Sequence, residues 1–104
     1  MALTRKFKNT VLERANVDAD FRRGLLTEAA ECILNNETDV AKSLLRDYVN
    51  ATIGFKELGV LVNKKPESLM RMLSEKGNPS IGNISQVISV ARKNEGVNFS
   101  VSAN

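Results

Sequence analysis

The chain predicts an all-α fold with one short β-strand at its C-terminal end. Three features of the sequence carry that prediction. Apolar residues recur at helical spacing in six successive segments. Between those segments stand Asn, Asp, Gly and Pro, the residues that start and stop helices. In the tail the period changes, and Val97, Phe99 and Val101 alternate with polar residues as a strand does.

Each element follows from its own residues. "TRKFKNTVLERAN" spaces Phe7, Val11 and Leu12 for a basic amphipathic helix over residues 4–15. Asp18 or Asp20 can cap the second helix, whose stripe is Phe21, Leu25, Ala29 and Cys32–Ile33, and Asn35-Asn36 ends it. Thr38 reads as the N-cap of a third helix with Leu44, Leu45, Tyr48 and Val49 inward, and Gly54 marks its exit. Two short helices follow, roughly Phe55–Leu61 and Pro66–Ser74. Gly77-Asn78-Pro79 stops the second of them, because proline lacks a donor and constrains the residue before it. From Ser80 onward, Ile81, Ile84, Val87, Ile88 and Ala91 form the buried face of a last helix. The strand that follows has no obvious partner within the chain, which suggests pairing with a second copy or another sheet edge, the alternative being a frayed tail. Residues 1–53 read as helices packing on the core and 54–104 as a second region, all within one domain.

Composition narrows the chemistry. Among 104 residues there is no histidine and no tryptophan, and only one cysteine. Missing histidine removes the commonest general base and metal ligand, and one cysteine cannot form an internal disulfide. Cys32 lies on an apolar stripe as a packed thiol, and Glu28 with Glu31 reads as solvated helix surface. The six glycines match neither a phosphate-binding loop nor a dinucleotide fingerprint. No enzyme, metal or cofactor is expected. No apolar run approaches the roughly 18 residues of a membrane span, and a cytoplasmic setting is the expectation.

The net charge of +3 is unevenly spread. Residues 1–16 carry +3, residues 17–50 carry −3 and residues 51–104 carry +3, with a cluster at Lys64, Lys65, Arg71 and Lys76. Such a distribution suits a polyanionic partner. The cluster surrounds a joint whose residues fit a tight turn between two helices. Leu58 and Val62 share a face of the first helix, and Leu69 shares one with Met72 or Leu73 on the second. Asn63 tolerates positive φ, Lys65 sits at the helix start, Pro66 at the first helical position, and Glu67 in the first turn. Gly59 leaves room for close approach. A supporting helix, a tight turn and a second helix are the parts of a helix-turn-helix.

The run "FKELGVLVNKKPESLMRMLSEKGNPSIGNISQVI" resembles the lambda-repressor/Cro-like helix-turn-helix domains. Within them it is most similar to the HigA-like antidote regulators of bacterial toxin–antitoxin modules, through "SLMRMLSEKGNPSIGNI". The resemblance covers roughly residues 54–101 and implies a lambda-repressor-like fold whose second short helix enters the DNA major groove. By position, Glu67, Ser68 and Arg71 would face base edges or adjacent phosphates, and Pro66 would contact by shape. Arg71 is the candidate for a bidentate contact with guanine. Glu67 either accepts from a cytosine amino group or only caps the helix start. Lys64, Lys65, Lys56, Lys76, Asn78 and Ser80 are the candidate phosphate contacts. Pro66 departs from relatives that place a polar base-reading side chain there.

The resemblance further implies a bacterial, nucleoid-associated repressor that autoregulates its operon and neutralises a RelE/ParE-like toxin. One such motif alone makes few phosphate contacts, so a homodimer on a pseudo-palindromic operator is expected. Val97, Phe99 and Val101 are the candidate dimer seam. Two other readings stand beside this one: a stand-alone, phage-type repressor, and a protein-interaction module without DNA.

Overall fold

The computed structural model describes the backbone of residues 5–104 and the side chains of residues 10–104. Six helices follow in order: α1 (Arg5–Val17), α2 (Ala19–Leu34), α3 (Thr38–Ala51), α4 (Gly54–Val62), α5 (Pro66–Met72) and α6 (Ile81–Glu95). Their count and order match the all-α expectation. Residue 4, the expected start of the first helix, lies outside the described residues, as does the side chain of Phe7. None of the described helices is long and apolar enough to cross a membrane.

Local chemistry explains most boundaries. Of the two aspartates open for the α2 cap, Asp18 takes the role: its carboxylate accepts from the Phe21 N–H at 3.0 Å. That bond holds the Asp18 carboxyl below the usual carboxylate range. At the other end Asn36 adopts φ 63, the left-handed conformation that asparagine tolerates. The α3 cap differs from expectation. Glu37 occupies it without a side-chain bond, and Thr38 is already the first helical residue. The Glu37 N–H is taken by the Cys32 carbonyl at 2.7 Å, which draws the link tight and starts α3 one residue early.

One core joins α2 through α6. Leu26 and Ala29 of α2 meet Leu45, Tyr48 and Val49 of α3. Phe55 and Leu58 of α4, Leu69 of α5, the following Leu73, and Ile84, Val87 and Ala91 of α6 complete the cluster. Each fully buried aliphatic or aromatic side chain contributes about 1.5–3 kcal/mol over an exposed one. α1 joins through Ala15, which is fully buried, and packs on α2 and α3. Cys32 is buried in α2, where burial first and then the Glu37 carboxylate push its thiol pKa up.

Two expectations of burial or pairing fail. Ile81, read as inward, is 74% exposed; as the first residue of α6 it precedes the turn that meets the core, which begins at Ile84. The expected strand over Val97–Val101 is not formed, and no strand occurs among the described residues. Gly96 ends α6 in the left-handed conformation, and the Val97 N–H turns back to the Arg92 carbonyl at 3.2 Å. The Arg92 guanidinium in turn donates to the Val97 carbonyl and to Asn98 Oδ1. Backbone groups that a strand needs for pairing are thus partly spent on the helix end, and Phe99 packs on the core.

A buried polar network crosses the helices. Arg22 Nε donates to both oxygens of Glu95, at 3.0 and 3.1 Å, and its Nη1 donates to the Ala15 carbonyl at 3.0 Å. The Tyr48 hydroxyl donates to Glu95 Oε2 at 2.5 Å and accepts from Asn94 Nδ2 at 2.9 Å. With its side chain 4% exposed, Glu95 is satisfied on both oxygens, as a buried carboxylate must be.

Candidate nucleic-acid interface

The joint between α4 and α5 is built around one missing side chain. Asn63 closes α4 at φ 55 and ψ 52, and the Lys64 N–H returns to the Gly59 carbonyl at 2.9 Å. A Cβ on Gly59 would stand 2.6 Å from the Lys64 carbonyl oxygen and 3.5 Å from the Pro66 ring. Only glycine lets the turn lie this close to α4. Lys65 is extended and Pro66 occupies the first turn of α5, where its missing donor costs nothing.

α5 is anchored on the core by Leu69, and Leu73 follows it inward. Ser68 and Arg71, three apart, share an exposed side of the helix. The last helical residue of α5 is Met72, two residues short of the expected Pro66–Ser74 helix, and Leu73 is its cap. The Ser74 N–H and hydroxyl both fold back on the Arg71 carbonyl, at 3.1 and 2.6 Å. Gly77 then passes so near α5 that a Cβ there would collide with the Arg71 and Met72 carbonyl oxygens. Beyond Pro79, Ser80 caps α6 by accepting from the Asn83 N–H at 3.1 Å.

These turns enclose an open concavity of about 510 Å³. Lys64, Lys65, Ser68, Arg71, Lys76, Asn78 and Ser80 line it, together with Met72, Gly77, Pro79 and Asn83. Seven of the ten DNA-contact candidates therefore converge on one surface. Lys56 and Pro66 line a neighbouring concavity, which shares Lys64 and Lys65 with the first. Glu67, exposed in the first turn of α5, lines neither.

The electrostatics are one-sided. Four cationic side chains and no carboxylate line the main concavity. Arg14, Arg22, Arg23, Arg46 and Arg92 each hold a carboxylate, a carbonyl or an aromatic ring. Among the described side chains, Arg71 is the one arginine whose guanidinium has no such partner. Arg71 is exposed, so its planar fork of five donors is available to an outside acceptor.

No family model, curated protein or solved structure matches the chain.

The seam candidates lie elsewhere. Phe99 and Val101 line a separate concavity of about 580 Å³ with Thr27, Ala30, Glu31 and Leu34 of α2. Val97 is half-buried beside Arg92, while Val101 is 78% exposed. Residue-by-residue reading missed Asn83, which lies three after the capping Ser80 and so on the same side of the helix start. It also missed Lys42 and Arg46 of α3, which hold the backbone behind the concavity. A signal for Lys42 was present: it lies three residues before Leu45 and seven before Val49, on the apolar face.

Proposed function

We propose that the chain is a sequence-specific, duplex-DNA-binding transcriptional repressor. In this reading α4, the turn and α5 act as a helix-turn-helix, and α5 enters the major groove. One observation carries it: seven predicted contact residues, the unpartnered Arg71 among them, share a carboxylate-free concavity. A polyanion meets four cations there without like-charge repulsion. Arg71 supplies the fork that fits the N7 and O6 of guanine, Ser68 a second polar contact one turn earlier, and the lysines grip phosphates. Two copies on a twofold operator would double these contacts.

The test is duplex binding by fluorescence anisotropy, on sites selected from random oligonucleotides and over a range of salt. Arg71→Ala should weaken binding by about 1–3 kcal/mol and relax preference at one base position. Lys64→Ala should weaken all sequences alike and lower the salt slope by about 1. Binding that ignores both substitutions, or that shows no salt dependence, removes the proposal.

Within that reading we place the chain as the antitoxin of a toxin–antitoxin module, on the resemblance of "SLMRMLSEKGNPSIGNI" to antidote regulators. Co-expression with the neighbouring reading frame should then yield a co-purifying complex with a small RelE/ParE-like toxin. A frame whose product neither binds nor inhibits growth leaves a stand-alone repressor.

A further inference from the structure

Lys42 is 3% exposed, in a fold where lysine is ordinarily a surface residue. Its ammonium has three N–H groups and finds three acceptors: the Gly77 carbonyl at 2.6 Å, the Glu75 carbonyl at 3.1 Å and Asp39 Oδ1 at 3.2 Å. Two of these are backbone oxygens of the loop that leaves α5. One turn further along α3, Arg46 Nη1 donates to the Leu73 carbonyl at 3.1 Å. The carbonyl of the α5 cap and two carbonyls of the loop after it, which would otherwise need water, are thus met by two cations of α3.

The juxtaposition has a direction. Lys76 and Asn78 line the cationic concavity, while the carbonyl of Gly77 between them is held from behind by Lys42. Lys42 itself lines no part of that concavity. It is a cation that cannot reach a phosphate on that face, yet it fixes the backbone from which two candidate phosphate contacts project. An apolar side chain would fill the same space and leave both loop carbonyls without a donor.

We propose that Lys42 is the positioning residue of the DNA face, acting through the Glu75–Gly77 backbone to set where Lys76 and Asn78 meet the duplex. This rests on the repressor reading above. It adds a residue of the acidic middle segment to the recognition machinery, without contact to DNA.

The experiment uses the full chain and a duplex obtained by selection, in a double-mutant cycle. Lys42→Met should weaken binding about tenfold, the loss expected when a well-placed charged contact is misaligned. In that background Lys76→Ala should have almost no further effect, whereas Lys64→Ala should keep its full effect. Amide hydrogen exchange should quicken at residues 74–78 and stay unchanged in α2. Should Lys42→Met fail to fold, Arg46→Gln, which releases only the Leu73 carbonyl, enters the same cycle. Effects of Lys42→Met (or Arg46→Gln) and Lys76→Ala that multiply to within about twofold overturn the proposal. A wild type without salt-dependent duplex binding overturns the repressor reading, and this inference with it. A wild type that binds while the cycle is additive overturns this inference alone.

Discussion

Two glycines inside helices show how differently one residue type can be used. At Gly24, exposed in α2, an added methyl group would find nothing within 4 Å, while at Gly59 it would meet the Lys64 carbonyl at 2.6 Å. Replacing Gly24 by Ala should stabilise the fold by about 0.5–1 kcal/mol, through helix propensity alone. Replacing Gly59 by Ala should destabilise it by about 1–3 kcal/mol, because the turn must move off α4. Urea denaturation of both variants checks the opposed signs; equal shifts would mean that the turn does not lean on Gly59. The need for Gly59 and Asn63 was legible beforehand, since both follow from the geometry of a short turn. Lys42 was not. Its partners are backbone carbonyls 33 and 35 residues away, and no side-chain pattern announces a carbonyl.

At the scale of elements, helices were readable wherever caps and apolar spacing agreed. Asp18 and Ser80 cap α2 and α6 where residue chemistry put them, whereas α5 ends at Met72, ahead of the expected Gly77-Asn78-Pro79 stop. The tail misled because period-two alternation describes side chains and says nothing of the backbone. Here the backbone around residue 97 is drawn onto the end of α6, and Phe99 is claimed by the core. The convergence of Lys64, Arg71, Lys76 and Ser80 was legible only as a cluster along the chain; the loop through Gly77 is what closes it into one surface. A dimer seam at the tail now rests on the exposed Val101 rather than on strand pairing. If the proposed repressor is a dimer through its tail, Val101→Lys should lower the dimer fraction in sedimentation while the protomer stays folded, because Val101 is 78% exposed and leaves Phe99 in place. An unchanged sedimentation profile would exclude this part of the tail from the seam.

Across the whole molecule, the network at Glu95 ties α1, α2, α3 and α6 together. It also makes a pH prediction. Burial, reinforced by the Glu95 carboxylate and opposed by the Asn94 amide, pushes the Tyr48 phenol from 10.0 up to about 12. A raised folded-state pKa means that the neutral phenol is favoured by folding. Its contribution is complete below pH 10 and is lost as the pH rises from there through about 12. Tyr48 is the sole tyrosine and tryptophan is absent, so tyrosinate absorbance reports this one group. Its midpoint in the folded protein should lie near 12 and fall toward 10 in denaturant; a folded midpoint near 10 would show that the phenol is not enclosed.

The same network sets an order of events during synthesis. Arg22 and Glu95 are 73 residues apart, and Tyr48 reaches the same carboxylate across 47. While a ribosome is still making α4 and α5, the guanidinium and the phenol have no carboxylate to close upon. Helices α1 to α3 must therefore wait, with their apolar faces only half covered, until α6 emerges and docks. A nascent chain can present Arg71 and the lysines well before that moment, but on a scaffold not yet locked. Completion of the fold, and with it any grip on a rigid duplex, is timed by the arrival of a single glutamate.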